Sequence, residues 1–140
     1  MANALFTPYK ESLLSLNPSV DLDTDTIKIA LVTAAYTFNG ADQFLSSGAG
    51  TVGNARVGTD QTLGTKTITA GVFDAADVTF TAVTGAQVTA YVVYKDTGTA
   101  ATSPLIAYFD TAASGLPVTP NGGNISIAFD AGTNRIFKIG

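Results

Sequence analysis

The sequence contains no histidine, no cysteine and no tryptophan. Without histidine there is no Ser-His-Asp triad, no imidazole base working near neutral pH and no imidazole metal ligand. Without cysteine there is no disulfide, zinc ribbon, iron–sulfur cluster or thiol nucleophile. Charge is scarce too: 13% of the 140 residues are Asp, Glu, Lys or Arg, where a soluble domain averages about 25%. Glu11 is the single glutamate. No stretch approaches the roughly 18 consecutive apolar residues of a membrane helix. Met1 to Lys10 lacks the basic region and apolar run of a secretory leader. These absences exclude much of catalysis and metal chemistry, so no cofactor, no metal and no enzymatic activity are expected. What they leave is a structural or binding protein.

What is present supports a folded chain. Hydrophobic residues make up 46% and mean hydropathy is +0.28, against the low hydrophobicity and high charge of disordered segments. The length fits one domain over 1–140, burying roughly two-thirds of its unfolded surface. The net charge is −4 with a pI of about 4.4. Lys10, Lys28, Arg56, Lys66, Lys95, Arg135 and Lys138 stand singly, so no basic stripe exists to neutralise phosphates, and neither nucleic acid nor membrane is expected as a partner. Threonine and alanine number 21 each and glycine 14. A surface made of Thr, Ser, Gly and Asn dries easily against a neighbouring subunit, which points towards assembly.

Periodicity divides the chain into a helical arm over 1–18 and a β-rich body over 25–140. Leu5, Tyr9, Leu13 and Leu16 share one helical face, with Phe6 and Leu14 beside them. Pro8 restricts the regular helix to begin at Thr7 or Pro8, with Thr7 as N-cap, and Asn17-Pro18 ends it. This amphipathic segment either packs on its own domain or docks on a neighbour. Strands are expected at 26–33, 51–57, 66–73 (with Gly71 as a bulge), 78–83, 86–95, 104–110, 124–129 and 134–139. The 86–95 run is apolar on both faces and should be central, and 130–134 should form a short hairpin loop. Eight strands after one helix indicate a mainly β fold, an antiparallel β-sandwich with a short N-terminal helix, for which jelly-roll topology is one option. Three stretches read as loops: 39–50, which has room for one helical turn, 97–103, flexible and uncharged, and 112–123, stiffened by two prolines.

Few residues invite a chemical reading. Asp21, Asp23 and Asp25 alternate like the opening of a calcium loop, but Thr26 stands where the loop glycine belongs and Val32 where a bidentate acid belongs. Turn formation explains them better than a weak cation site. Asp74 and Asp77 flank Ala75-Ala76 and suit a reverse turn better than a carboxylate pair for acid–base work. The glycines around Ser46-Ser47-Gly48 and Gly50 to Gly53 lack the Lys-Ser/Thr end of a phosphate loop. Lys95-Asp96 reads as an exposed pair at a strand end. Tyr36, Phe38 and Phe44 lie in turn-rich sequence, where aromatics serve either the core or an interface. Leu116, Pro117, Val118 and Pro120 pose the same alternative.

Four segments in combination carry a resemblance: Asp25 to Thr37 (DTIKIALVTAAYT), Asp77 to Phe80 (DVTF), Val93 to Tyr108 (VYKDTGTAATSPLIAY) and Gly115 to Gly123 (GLPVTPNGG). Together with the N-terminal helix and the closing Ile136-Phe137-Lys138, they resemble small virion structural proteins of tailed bacteriophages and prophages over nearly the whole chain. The resemblance implies a capsid decoration (cement) protein, made in the host cytoplasm and located in the virion. Its partners would be the major capsid protein or other virion proteins. It also implies a homo-oligomer, dimer or trimer, since such proteins sit on symmetry axes. The rival class is a minor tail component, or a binding module of a tail tip or fibre. The expected partner contacts are Leu5, Phe6, Tyr9, Tyr36, Phe38, Phe44, Leu116, Pro117, Val118 and Pro120.

Overall fold

The computed structural model describes residues 3–47, 50–110, 116–129 and 135–139. In chain order the elements are β1 (Ala4–Leu5), α1 (Thr7–Ser15), β2 (Ile27–Thr33), β3 (Arg56–Thr62), β4 (Thr67–Thr69), β5 (Val72–Asp74), β6 (Val78–Phe80), β7 (Val88–Lys95), a 3-10 turn at Ala100–Thr102, β8 (Leu105–Phe109), β9 (Ile125–Ile127) and β10 (Phe137–Lys138). The fold is mainly β, its sheets are antiparallel and α1 is the single α-helix among the described residues. The largest sheet runs β1-β8-β7-β2-β3, a second runs β10-β5-β4, and β6 pairs with β9.

The centre of the large sheet follows directly from sequence. β2 and β7 lie antiparallel from Ile27 opposite Lys95 to Thr33 opposite Val88. Ile27, Ile29, Ala30, Leu31 and Val32 are buried, as are Val88 and Ala90 through Tyr94. An apolar run on both faces needs cover on both sides, and a central strand provides it. The β6–β9 pair shows the opposite pattern. Val78, Phe80, Ile125 and Ile127 are buried, while Thr79 and Ser126 face out with their hydroxyl oxygens 3.3 Å apart. Period-two alternation has sorted one face to the core and one to water.

Tertiary structure alters several expectations. The strand expected over 51–57 begins only at Arg56. Thr51 sits at φ 37° and its backbone carbonyl accepts the Ala55 N–H at 3.1 Å, winding 51–55 into turns ahead of β3. The expected 66–73 strand is a hairpin. Ala70 (φ 53°) and Gly71 (φ 78°) form a two-residue turn between β4 and β5, and two positive φ values match the twist of the flanking strands. Gly71 is therefore the turn itself, where a bulge was expected. The expected 130–134 hairpin loop lies outside the described residues. The strands on either side of it do not pair with each other: β9 joins β6 and β10 joins β5. The 39–50 loop holds a turn from Phe44 to Ser47 and an isolated bridge between Phe44 and Pro104, with no helix among its described residues.

The helical arm is shorter than its hydrophobic pattern. Leu5 belongs to β1, opposite Ala107, and Phe6 takes the N-cap position expected for Thr7. Within α1 only Tyr9 and Ser12 are buried. Tyr9 meets Phe137 edge-on at 6.2 Å, and Phe137 meets Phe73 at 5.5 Å. The Ser12 hydroxyl donates to the Tyr9 carbonyl at 2.7 Å. Leu16 closes the helix in the left-handed region, its N–H donating to the Ser12 carbonyl at 2.7 Å. Leu13, one turn beyond Tyr9, and Leu16 remain outside the core.

Candidate interaction surface

The residues expected to touch a partner fall into two sets. Phe6, Tyr9 and Tyr36 are buried in the chain's own core. Phe6 is fully covered, and burying such a ring is worth about 1.5–3 kcal/mol to the fold. The Tyr36 hydroxyl donates to Asp42 Oδ2 at 2.8 Å, and both residues are buried. Phe38, half-buried, lies between Phe6 (5.4 Å) and Tyr108 (4.5 Å). Leu5, Phe44, Leu116, Val118 and Pro120 are half-buried, and Pro117 is exposed. Val118 is tied to Val88 by two backbone hydrogen bonds of 2.8 and 3.0 Å, while Gly122 and Gly123 bond both ways to Val83. The described part of the 112–123 loop is thus anchored to the body of the protein.

Many of the charged residues serve the chain's own structure. Asp21 Oδ1 accepts the N–H of Asp23 at 3.0 Å and of Thr24 at 3.3 Å, and Asp25 Oδ2 accepts the Asp21 N–H at 2.8 Å. This is the turn read from the sequence, closed by carboxylates bonding backbone amides. Among the described residues no group of three or more acidic side chains is placed to hold a metal ion. Asp74 faces Arg135 at 3.7 Å, whereas Asp77 Oδ1 accepts the Phe129 N–H at 2.9 Å. Each of the two carboxylates has its own structural task.

Lys95 and Asp96 do not pair with each other as expected. Neighbours in extended chain point to opposite faces, so Lys95 Nζ meets Asp25 at 2.9 Å and Asp96 meets Lys28 Nζ at 2.8 Å. Lys66 Nζ donates to the Asp25 carbonyl. Lys28 and Asp96 border an open cleft of about 640 Å³, shared with Arg56, Asp60, Tyr94 and Thr99. In it Asp60 Oδ2 accepts from Arg56 Nη1 and from the Tyr94 hydroxyl, each at 2.6 Å. The β2–β3 register slips between Ile29 opposite Gln61 and Leu31 opposite Val57. Gly58, at φ +74°, lies inside that bulge, which re-aims Asp60 towards Tyr94. Burial raises the Tyr94 phenol above its ordinary range, and the hydrogen bond to Asp60 raises it further. The cleft therefore presents mutually neutralised ion pairs and hydroxyls, a wall suited to contact.

One cleft wall is the 97–103 segment, expected to be flexible. Its residues bond to one another. Thr97 Oγ1 lies 2.6 Å from Thr102 Oγ1, Ser103 Oγ donates to the Thr99 carbonyl at 2.8 Å, and Gly98 N–H donates to Asp96 Oδ1 at 2.9 Å. Small hydroxyls substitute for charge in fixing this loop, a role that hydroxyl-rich sequence leaves open until partners within reach are known.

The apolar surface is where sequence reasoning missed most. Leu14 is 91% exposed, Leu16 73% and Leu13 40%, all on or just after α1, and Ile68 and Ile139 are about half exposed. Leu13 and Leu16 share the helical face of Tyr9, whose ring reaches Phe137. Amphipathic spacing left that face either packed on its own domain or docked on a neighbour. Only its first turn finds a surface to cover it, and the candidate site is the remainder. Among the described residues no helix is long and apolar enough to cross a membrane. A scan against models of known protein families and a search of curated proteins both return no match.

Proposed function

We propose that this chain is a non-enzymatic structural protein of a phage particle, a decoration protein that binds the head lattice and reinforces it. The phage-like segments supply the class. The observation that carries a binding role is the row of leucines standing in solvent at the end of α1, on a protein otherwise poor in charge. A few large exposed apolar side chains clustered on one element are what an interface core requires. The structural employment of Asp21, Asp25, Asp60, Asp74, Asp77 and Asp96 supports the same reading.

On this reading the chain is a single domain, its antiparallel sheets form a β-sandwich, and a jelly-roll order is one form of it. The α1 arm and the loops at 36–50, 97–103 and 112–123 bridge neighbouring capsid subunits, with the protein present as a homo-oligomer. Binding to the assembled shell and not to its dissociated subunits stabilises the shell by mass action. Weak individual contacts suffice because symmetry multiplies them.

The test is to add purified protein to undecorated heads. Saturable binding with a raised disruption temperature is expected, and Leu14→Asp with Leu16→Asp should weaken it at least about tenfold. Labelling confined to tails would overturn the head placement in favour of a tail-tip module.

A further inference from the structure

The outer edge of the three-stranded sheet identifies a second surface. The two-residue turn at Ala70-Gly71 makes its flanking residues, Thr69 and Val72, a hydrogen-bonded pair. Alternation then makes Ile68 and Phe73 a pair that exchanges no backbone bonds. The Phe73 carbonyl agrees, accepting the Ile136 N–H at 3.1 Å on the β10 side. The N–H and C=O of Ile68 consequently point away from the sheet. Among the described residues no strand pairs with that edge, and Thr67, Ile68 and Thr69 are all exposed.

The edges of the five-stranded sheet are blunted. β3 carries Arg56, Asp60 and the Gly58 bulge. The outer side of β8 is covered by β1, by the Phe6 N–H on Ile106 and by the Leu105 N–H on Gln43. Charge, bulges and cover are the usual defences of an edge strand. β4 has none of them: it is uncharged, free of proline and entirely β-branched.

We propose that β4 pairs antiparallel with β4 of a second copy of this chain, about a two-fold axis at Ile68, joining two three-stranded sheets into one of six strands. The occupant is argued from self-complementarity. Thr67-Ile68-Thr69 reads the same in both directions. The axis therefore sets Ile68 against Ile68 of the partner subunit and Thr67 against Thr69 of the partner subunit, a favourable cross-strand match. Lys66 faces Ala70 of the partner subunit, so no like charges meet. Register aligns Phe137, Phe73 and Ile68 in one row on the core side. The axis continues that row into the partner and covers the half-exposed Ile68. The interface is isologous and closes at two subunits. This pairing does not depend on where in a particle the protein sits, and head binding is measured separately from it.

The natural absence of cysteine allows a clean test. In a hydrogen-bonded antiparallel pair the Cα atoms are about 5.5 Å apart, within disulfide range. Ile68→Cys is therefore expected to form a covalent dimer on mild oxidation, whereas Leu14→Cys, on the more exposed helix residue, forms none. Sedimentation of the unmodified protein should show a reversible dimer, and Ile68→Lys, which places two ammonium groups on the axis, should raise its dissociation constant at least about tenfold. Circular dichroism checks that Ile68→Lys is folded, and if it is not, the cysteine pair decides. The proposal is overturned by a monomer at every concentration up to millimolar or by a trimer. It is equally overturned by a folded Ile68→Lys with an unchanged dissociation constant, or by Leu14→Cys cross-linking as fast as Ile68→Cys.

Discussion

Raising the pH probes the core of this protein with unusual clarity, because no histidine or cysteine titrates on the way. All five tyrosines hold their protons beyond the ordinary value. Burial pushes Tyr9 from 10.0 up to about 12. Tyr36, Tyr91, Tyr94 and Tyr108 are raised as well, each mainly by burial, with Asp42 adding to the effect at Tyr36 and Asp60 at Tyr94. The folded chain thus keeps protons that the unfolded chain has begun to release once the pH passes 10.0. Stability from these groups is fully present below that value and is lost as the pH climbs through the folded-state values. For Tyr9 the interval from 10.0 to about 12 corresponds to about 2.7 kcal/mol, and solvent screening reduces this to about 2 kcal/mol. Four more tyrosines act in the same direction against a total stability on the order of 5–15 kcal/mol. Unfolding should therefore precede their separate ionisation.

The assay follows tyrosinate absorbance and far-ultraviolet circular dichroism together as the pH is raised. One steep, coincident transition above 10.0 is expected, after a plateau reaching back to the carboxylate range. Tyr9→Phe should move the transition to higher pH. The acid edge has the opposite sign. Hydrogen bonds hold the carboxyls of Asp21 and Asp96 below their ordinary range, from Thr24 and Lys28 respectively. At Asp25 burial opposes the shift, but the Asp21 N–H and Lys95 outweigh it. Their contribution is present above the ordinary carboxylate value and disappears as the pH falls. Gradual tyrosine ionisation centred near 10.0, with the circular dichroism unchanged, would refute the reasoning.

Two substitutions test the local geometry. Gly71→Ala places a Cβ at φ +78°, 2.7 Å from the Ile139 carbonyl oxygen, and should cost about 2–3 kcal/mol by combining left-handed strain with displacement of the chain after β10. An unchanged thermal midpoint would rule out the hairpin as described. Tyr94→Phe removes a bond from a buried phenol to a carboxylate and should cost about 1.5 kcal/mol. Arg56→Ala, losing the exposed partner of the same carboxylate, should cost less than about 1 kcal/mol. Denaturant titration that reverses this order would show that the arginine, and not the tyrosine, holds Asp60.

The electrostatic design explains how so little charge suffices. Lys28 with Asp96 and Lys95 with Asp25 bind both faces at one end of the β2–β7 pair, and Lys66 reaches the Asp25 backbone from the loop ahead of β4. With these charges engaged internally, the exterior carries few charges, among them Lys10, Glu11, Asp23 and Lys138, beside threonine, small residues and the leucines of α1. Such a surface is easily desolvated by a neighbour, and this physical requirement is shared by the proposed shell contact and the proposed β4 pairing.

The amino-acid pattern by itself determined the class of fold and its centre. The largely apolar run at 88–94 calls for a strand covered on both faces, the alternation of Ile27, Ile29 and Leu31 for a strand, and the strict alternation at 125–127 for a strand with one face in water. The Asp21–Asp25 turn was equally legible, because an aspartate bonding nearby amides is a local event. What only the tertiary structure decided involves partners distant in sequence. Whether Leu13 and Leu16 are core or surface depends on what packs against α1, and of that face only Tyr9 is covered, its ring reaching Phe137 of β10. Whether Ala70-Gly71 bulges or turns depends on what Ile68 and Val72 find to pair with. Lys95 takes Asp25 over its neighbour Asp96 because the pleat sends adjacent side chains to opposite faces. Periodicity shows which side chains should leave water, but only the assembled sheets show which of them have somewhere to go.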